Sequence, residues 1–336
     1  MVFPISSLLF MVSLLSGSIL SISSTSWFAA WIGLELNFLS FIPLITTKMN
    51  SYLSEAAIKY FLVQAMASTI IIMSSSLFML TPNLSHTLIL LSLILKLGAA
   101  PFHFWFPQIM EGLMWPQAMI LMTIQKIAPM FLMSYLNMSS ILTNIIILSS
   151  IISALVGAMG GLNIMSLRKL MAYSSINHMS WMLVSISLND MMWISYFTFY
   201  ALISSSVVIL LHSLQSFSIS DLMSPNRTNY FLNLLLPMSL LSLGGLPPFT
   251  GFLPKWMMIQ IMISNNMLMP LAFLLFSSLL TLYFYLRILI PFALSFNPIL
   301  NFNVKYTSYI SLSSSLPLIS FFNLLGIFLP FPFLIF

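Results

Sequence analysis

Four ionisable side chains, Glu35, Lys96, Lys126 and Lys255, lie deep inside long apolar runs. Each costs about 2.5–3.5 kcal/mol at the centre of a membrane helix, and four cost roughly 10 kcal/mol before any pairing. Stability alone gives no reason to keep them. One carboxylate and three ammonium groups in an apolar medium have the chemistry to hold and pass protons. A lysine desolvated without a partner releases its proton readily, and an approaching carboxylate restores the charged form. A charge can thus move along a row as the pairing changes. A plain structural ion pair would account for Glu35 and Lys96. Lys126 and Lys255 have no evident carboxylate to spare.

Two histidines extend this set. His178 lies mid-span in Ser174-Ser175-Ile176-Asn177-His178. This polar cluster could wire water between lysines or tie two helices by a hydrogen bond. His103 borders a helix break, where a proton relay and a structural cap are both open readings. Glu111, a few residues on, is read as interfacial.

The elements that must position these groups are membrane helices. Hydrophobic residues make up 60% of the 336 and charged ones 4%, against roughly 25% charged in a soluble domain. A helix needs about 20 apolar residues to cross a bilayer, and long unalternating runs favour helices over a barrel. Eleven segments are expected, near 5–23, 26–46, 54–80, 85–103, 116–136, 141–161, 168–188, 191–213, 231–263, 267–291 and 309–334. The first is taken as a retained span, because Met1 leads into it without the basic region of a signal peptide. Lys48, Lys59, Arg168, Lys169, Arg227, Arg287 and Lys305 fall in loops or helix ends on the N-terminal side, and Asp190 falls on the other. By the positive-inside pattern, this predicts an N-terminus on the cytoplasmic or matrix side.

Two segments share one spelling. Gly98-Ala99-Ala100-Pro101-Phe102-His103-Phe104-Trp105-Phe106-Pro107 and Gly245-Leu246-Pro247-Pro248-Phe249-Thr250-Gly251-Phe252-Leu253-Pro254 both read G-x-x-P-F-x-x-x-x-P. Glycine and proline break helices, so Gly98 and Pro101 mark one break, and Gly245, Pro247 and Pro248 the other. Five spans separate the copies, which therefore run in opposite directions. Paired broken helices in an inverted repeat are secondary-transporter architecture. The fold class predicted is an all-α polytopic membrane protein of about eleven transmembrane helices, with an inverted repeat containing two broken helices. It forms a single integral membrane domain over 1–336, with repeat halves placed approximately at 54–188 and 191–336.

Composition also excludes chemistry. The sequence has no cysteine, hence no disulfide, thiolate zinc site or Cys-ligated iron–sulfur cluster. It has no G-x-G-x-x-G, Walker A or H-E-x-x-H motif. No catalytic, metal or cofactor residues are predicted. The small net charge of +5 points to no nucleic acid.

Leu95-Lys96-Leu97-Gly98-Ala99-Ala100-Pro101-Phe102-His103-Phe104-Trp105-Phe106-Pro107 resembles the signature of the antiporter-like subunits of respiratory complex I and of multisubunit Na⁺/H⁺ antiporters. Trp31-Ile32-Gly33-Leu34-Glu35-Leu36-Asn37, the stretch from Ser166 to His178 and the stretch from Leu243 to Lys255 extend the resemblance over nearly the whole chain. It implies proton translocation driven by quinone reduction elsewhere in the complex. Glu35 would pair with Lys96, Lys126 would be the central carrier and Lys255 the terminal one. It also implies a mitochondrial inner membrane, other membrane-arm subunits as partners, and phospholipids including cardiolipin. FMN, iron–sulfur clusters and ubiquinone would belong to partner subunits. Longer members carry fourteen helices, of which this chain would lack the first three. The alternative is a stand-alone or multisubunit cation/proton antiporter.

Overall fold

In lipid, each segment must satisfy its own backbone, and here helices do so. The computed structural model describes residues 5–47, 50–137, 139–222 and 230–294. The helices are α1 (Ile5–Ser23), α2 (Trp27–Ile45), α3 (Ser51–Ser76), α4 (Pro82–Leu97), α5 (Trp105–Gly112), α6 (Trp115–Met122) and α7 (Ile124–Tyr135). They continue as α8 (Ser140–Gly160), α9 (Leu167–Leu188), α10 (Asp190–Ser213), the short α11 (Ile219–Leu222), α12 (Tyr230–Gly244), α13 (Phe252–Ser264) and α14 (Leu268–Leu294).

Seven spans among the described residues are long and apolar enough to cross a membrane. α4 and α12 are shorter because each is the first part of a broken span. The first ten expected spans each coincide with a helix or a broken pair. The eleventh, 309–334, lies outside the described residues, as do Lys48, Arg227 and Lys305.

The helix ends follow from local chemistry. Ser26 caps α2 by accepting from the Ala29 amide, and Ser139 caps α8 by accepting from the Leu142 amide. α4 starts with Pro82 in its first turn, where its missing N–H costs nothing. It stops at Gly98, a left-handed cap with φ +69° whose amide returns to Leu95 O. Serine hydroxyls within the helices bond carbonyls three residues back, as Ser92 does to Ile89 O at 2.6 Å and Ser174 to Met171 O at 2.8 Å. That removes the cost of a bare hydroxyl in an apolar medium.

One expected break takes a different form, and one further break was not expected. Span four does not end at its Gly–Pro segment, because the chain resumes as α5 beyond it. Span five is also interrupted. It divides at Thr123, whose hydroxyl bonds Met119 O at 2.7 Å and whose carbonyl accepts the Lys126 amide. Pro129 then removes a further amide from α7. Lys126 therefore stands in a short stretch between two irregularities.

Glycines let helix backbones touch in two places. A Cβ on Gly17 would lie 2.8 Å from the Asn37 amide and 2.9 Å from Gly33 O. A Cβ on Gly157 would lie 2.7 Å from the Asn177 amide and 3.0 Å from Tyr173 O. The α1–α2 and α8–α9 contacts thus use corresponding positions, each 140 residues apart.

α9 is the central helix, buried along nearly its whole length from Leu167 to Ile186. Helices around it turn Leu9, Val12, Leu62, Met73 and Leu279 outward, as a lipid-facing surface requires. Basic residues gather at one end. Lys59 pairs with Glu55 at 2.6 Å, and Lys169 with Glu111 at 2.6 Å. Lys59, Glu111 and Arg168 line one cavity there of about 530 Å³. Arg287 reaches Leu162 O just before α9. Asp190 stands beyond the other end of α9.

Candidate functional site: a buried polar row

Lys96, Lys126, His178 and Lys255 are all buried, at 7%, 2%, 8% and 6% exposure. Each is delivered by a different element. Lys96 is in the last turn of α4, two residues before the Gly98 cap. Lys126 is in the first turn of α7, just past the Thr123 interruption. His178 is mid-α9, and Lys255 is in the first turn of α13, just past the second break.

At one end of the row, Glu35 on α2 is near enough to Lys96 to act on it electrostatically. It is not in contact: among the described residues, the ion pairs within 4 Å are Lys59–Glu55 and Lys169–Glu111. One Glu35 oxygen, Oε2, is buried without a hydrogen-bond partner. Gln64 Nε2 donates to the Lys96 carbonyl at 3.4 Å.

Between Lys96 and Lys126 lies a cavity of about 20 Å³, bounded on its polar side by Asn37, Tyr60, Gln64 and Gln125. That exceeds the ~10–15 Å³ needed to hold one water. Asn37 Oδ1 and Gln125 Nε2 are buried and unpartnered, and would satisfy such a water. Tyr60 donates to Gln125 Oε1 at 3.2 Å.

Among the described residues, no carboxylate lies within ion-pair distance of Lys126. Its ammonium donates to Tyr200 Oη at 3.5 Å and sits 5.1 Å from the Phe106 ring centre and 5.3 Å from that of Tyr200. Such faces attract a desolvated cation. Next along, the His178 and Tyr200 rings are 5.2 Å apart, and His178 Nδ1 lies 3.1 Å from Tyr196 Oη. His178 is within electrostatic reach of both Lys126 and Lys255. Lys255 donates to Gly244 O at 2.8 Å, a carbonyl freed by the end of α12.

The structure therefore gathers Glu35, Lys96, Lys126, His178 and Lys255 along one row. His103 keeps to the break: its Nδ1 is 3.3 Å from Pro101 O, and its ring lies 4.1 Å from that of Phe104. Glu111 is on α5 and paired to Lys169. Gly98 and Gly245, with φ +69° and +79°, form the two break points, followed by Pro101 and by Pro247 and Pro248. Sequence reasoning missed Tyr60, Gln64, Gln125, Tyr196 and Tyr200. A hydroxyl or amide in an apolar run was the only available signal.

Comparison with known proteins agrees with this architecture. The family model described as NADH:quinone oxidoreductase/Mrp antiporter, TM matches residues 24–83 and 78–281. NADH-ubiquinone oxidoreductase chain 2 of Anopheles gambiae is 47% identical over 293 residues, covering 84% of this chain and 85% of that protein. Among solved structures, the fold is similar to a chain of respiratory complex I from Thermus thermophilus with bound aureothin. That match has TM-score 0.82 and 23% identity, over 98% of this chain and 80% of that one. It is also similar to a chain of the membrane-bound sulfane sulfur reductase, an archaeal respiratory membrane complex. There the TM-score is 0.83 and the identity 19%, over 96% and 73%. At those identities the solved structures establish the fold alone.

Proposed function

This chain belongs to the NADH:quinone oxidoreductase/Mrp antiporter transmembrane family, among its NADH-ubiquinone oxidoreductase chain 2 members, and from that premise we propose how its buried row works. The chain is a proton-translocating, antiporter-like membrane subunit of NADH:ubiquinone oxidoreductase, without redox chemistry of its own. Glu35 and Lys96 form the coupled end of the row, Lys126 is the central carrier and Lys255 the terminal one. His178 relays between the two lysines it faces, and His103 holds the first break in shape. The observation that carries this reading is a set of three buried lysines, none of which, among the described residues, lies within ion-pair distance of a carboxylate, in a chain where stability gives no reason for them.

Its setting follows from the same premise. The chain works in the mitochondrial inner membrane beside other membrane-arm subunits, which with phospholipid, cardiolipin included, cover its apolar faces. FMN, iron–sulfur clusters and ubiquinone belong to partner chains. The basic end of the bundle faces the matrix with the N-terminus, which sets the C-terminus in the intermembrane space. The repeat halves are better drawn as α1–α7 and α8–α14 than as 54–188 and 191–336. The matched glycine contacts of α1–α2 and α8–α9, 140 residues apart, support that division. A free-standing cation/proton antiporter is the less supported reading, because the 47% identical relative carries the chain 2 name. Purification from native membranes tests the choice. Recovery only within a complex containing flavin and iron–sulfur subunits is expected, and an active chain recovered alone would overturn it.

A further inference from the structure

Lys126 and His178 lie in different halves of the bundle, and Tyr200 on α10 touches both surroundings. Its hydroxyl accepts from the Lys126 ammonium at 3.5 Å. Its ring lies 5.3 Å from that ammonium and 5.2 Å from the imidazole. Ser175, one helical turn from His178 on α9, is within electrostatic reach of Tyr200, and its own hydroxyl donates to Ala172 O at 2.7 Å. Tyr200 is 3% exposed. A phenol both accepts and donates, which an aliphatic or phenylalanine side chain does not.

We propose that Tyr200 is the junction through which a proton leaves Lys126 for the His178–Lys255 half, an assignment that rests on the proton-translocating reading above. The Lys126 N–H bond breaks with its electron pair left on nitrogen, and an O–H bond forms on Tyr200 Oη. The phenol's own proton passes to the neutral His178 imidazole, whose ring lies 5.2 Å from that of Tyr200. Lys126 ends as an amine, Tyr200 is again a neutral phenol, and His178 carries the charge. Tyr196, at 3.1 Å from His178 Nδ1, holds the imidazole in place for this transfer. Nothing is oxidised or reduced in the step.

The test uses the whole complex carrying a variant of this chain, reconstituted in liposomes. Protons pumped per NADH are measured, normalised to assembled flavin. Tyr200→Phe keeps the ring and its packing, so assembly should hold while protons per NADH fall by the same fraction as in Lys126→Met. Tyr200→His restores a group that both accepts and donates, and should recover part of that loss. Normal stoichiometry in Tyr200→Phe, with a loss in Lys126→Met, overturns the junction and leaves the carrier reading standing. Equal losses in Tyr200→Phe and Tyr200→His also overturn it, since a group that accepts and donates at that position would then fail to restore transfer. Normal pumping in Lys126→Met removes the underlying reading itself.

Discussion

Lys255 fills the space that Gly245 leaves open: a Cβ on Gly245 would lie 2.9 Å from both Cδ and Nζ of that lysine. The break in span nine thus does more than interrupt a helix. It frees the Gly244 carbonyl to accept from Lys255 and clears room for the side chain to lie against the backbone. Gly245→Ala should displace the ammonium and strain a residue at φ +79°, at roughly 1–2 kcal/mol for the backbone alone. Proton pumping should fall more than assembly does. Gly244→Ala is the control, because its Cβ would meet nothing nearer than 3.6 Å. Equal effects of the two substitutions would show that the space beside Gly245 is not what matters.

Lys126→Met removes a buried charge and keeps nearly the same volume. Breaking a buried ion pair leaves a stranded partner, but Lys126 has aromatic faces and a hydroxyl around it rather than a carboxylate. Assembly should therefore stay near normal, while protons pumped per NADH decline. Unchanged stoichiometry in an assembled complex would make Lys126 a structural residue.

Gln117 binds two helix ends together. Its Nε2 donates to Leu44 O at 2.8 Å and to Ile45 O at 3.1 Å, while its Oε1 accepts from the Met114 amide. Gln117→Leu leaves these buried backbone groups unpaired, at about 1–3 kcal/mol for each group left unsatisfied. The complex should lose heat stability, with pumping per assembled complex unaltered. Unchanged thermal unfolding would show that the α2 carbonyls find other donors.

The row's charged members were legible because charge is scarce in this chain. A lysine inside an apolar run needs no three-dimensional information to stand out, and the Gly–Pro spelling at 98–101 and 245–248 declared two breaks. Their partners were not legible. Tyr200 and Tyr196 sit in an apolar stretch where an aromatic reads as packing, and only the docking of α10 against α9 turns them toward Lys126 and His178. The Thr123 interruption had Pro129 as its sole signal, three residues past the lysine it positions. Glu111 and Lys169 are far apart in sequence, so their ion pair depends on how α5 meets α9.

Lys59, Arg168, Lys169 and Arg287 share one end of the bundle, away from Asp190, and the proposed orientation turns that end to the matrix. In mitoplasts with a sealed inner membrane, protease added from outside should leave an N-terminal epitope intact. Release of that epitope before the membrane is opened would reverse the orientation.

Glu35 and Lys96 should behave as one unit although they do not touch. Glu35 acts on Lys96 electrostatically, and Lys96 opens onto the small cavity it shares with Lys126. A separation beyond contact suits a working pair, because a tight ion pair would hold Lys96 too firmly to exchange partners along the row. Glu35→Gln alone leaves Lys96 buried without the counter-charge that Glu35 supplies, and Lys96→Met alone leaves Glu35 with Oε2 buried and unpaired. Either single change strands a charge in a medium of low dielectric, which is costly. The double variant strands none. In a double-mutant cycle, the loss of assembled complex in the double variant should be smaller than the two single losses combined. Pumping should remain impaired in all three, since the row has lost its first step. Additive losses of assembly would mean that the two residues act independently and that Lys96 answers to some other group. Normal pumping in the double variant would mean that proton transfer does not begin at this pair.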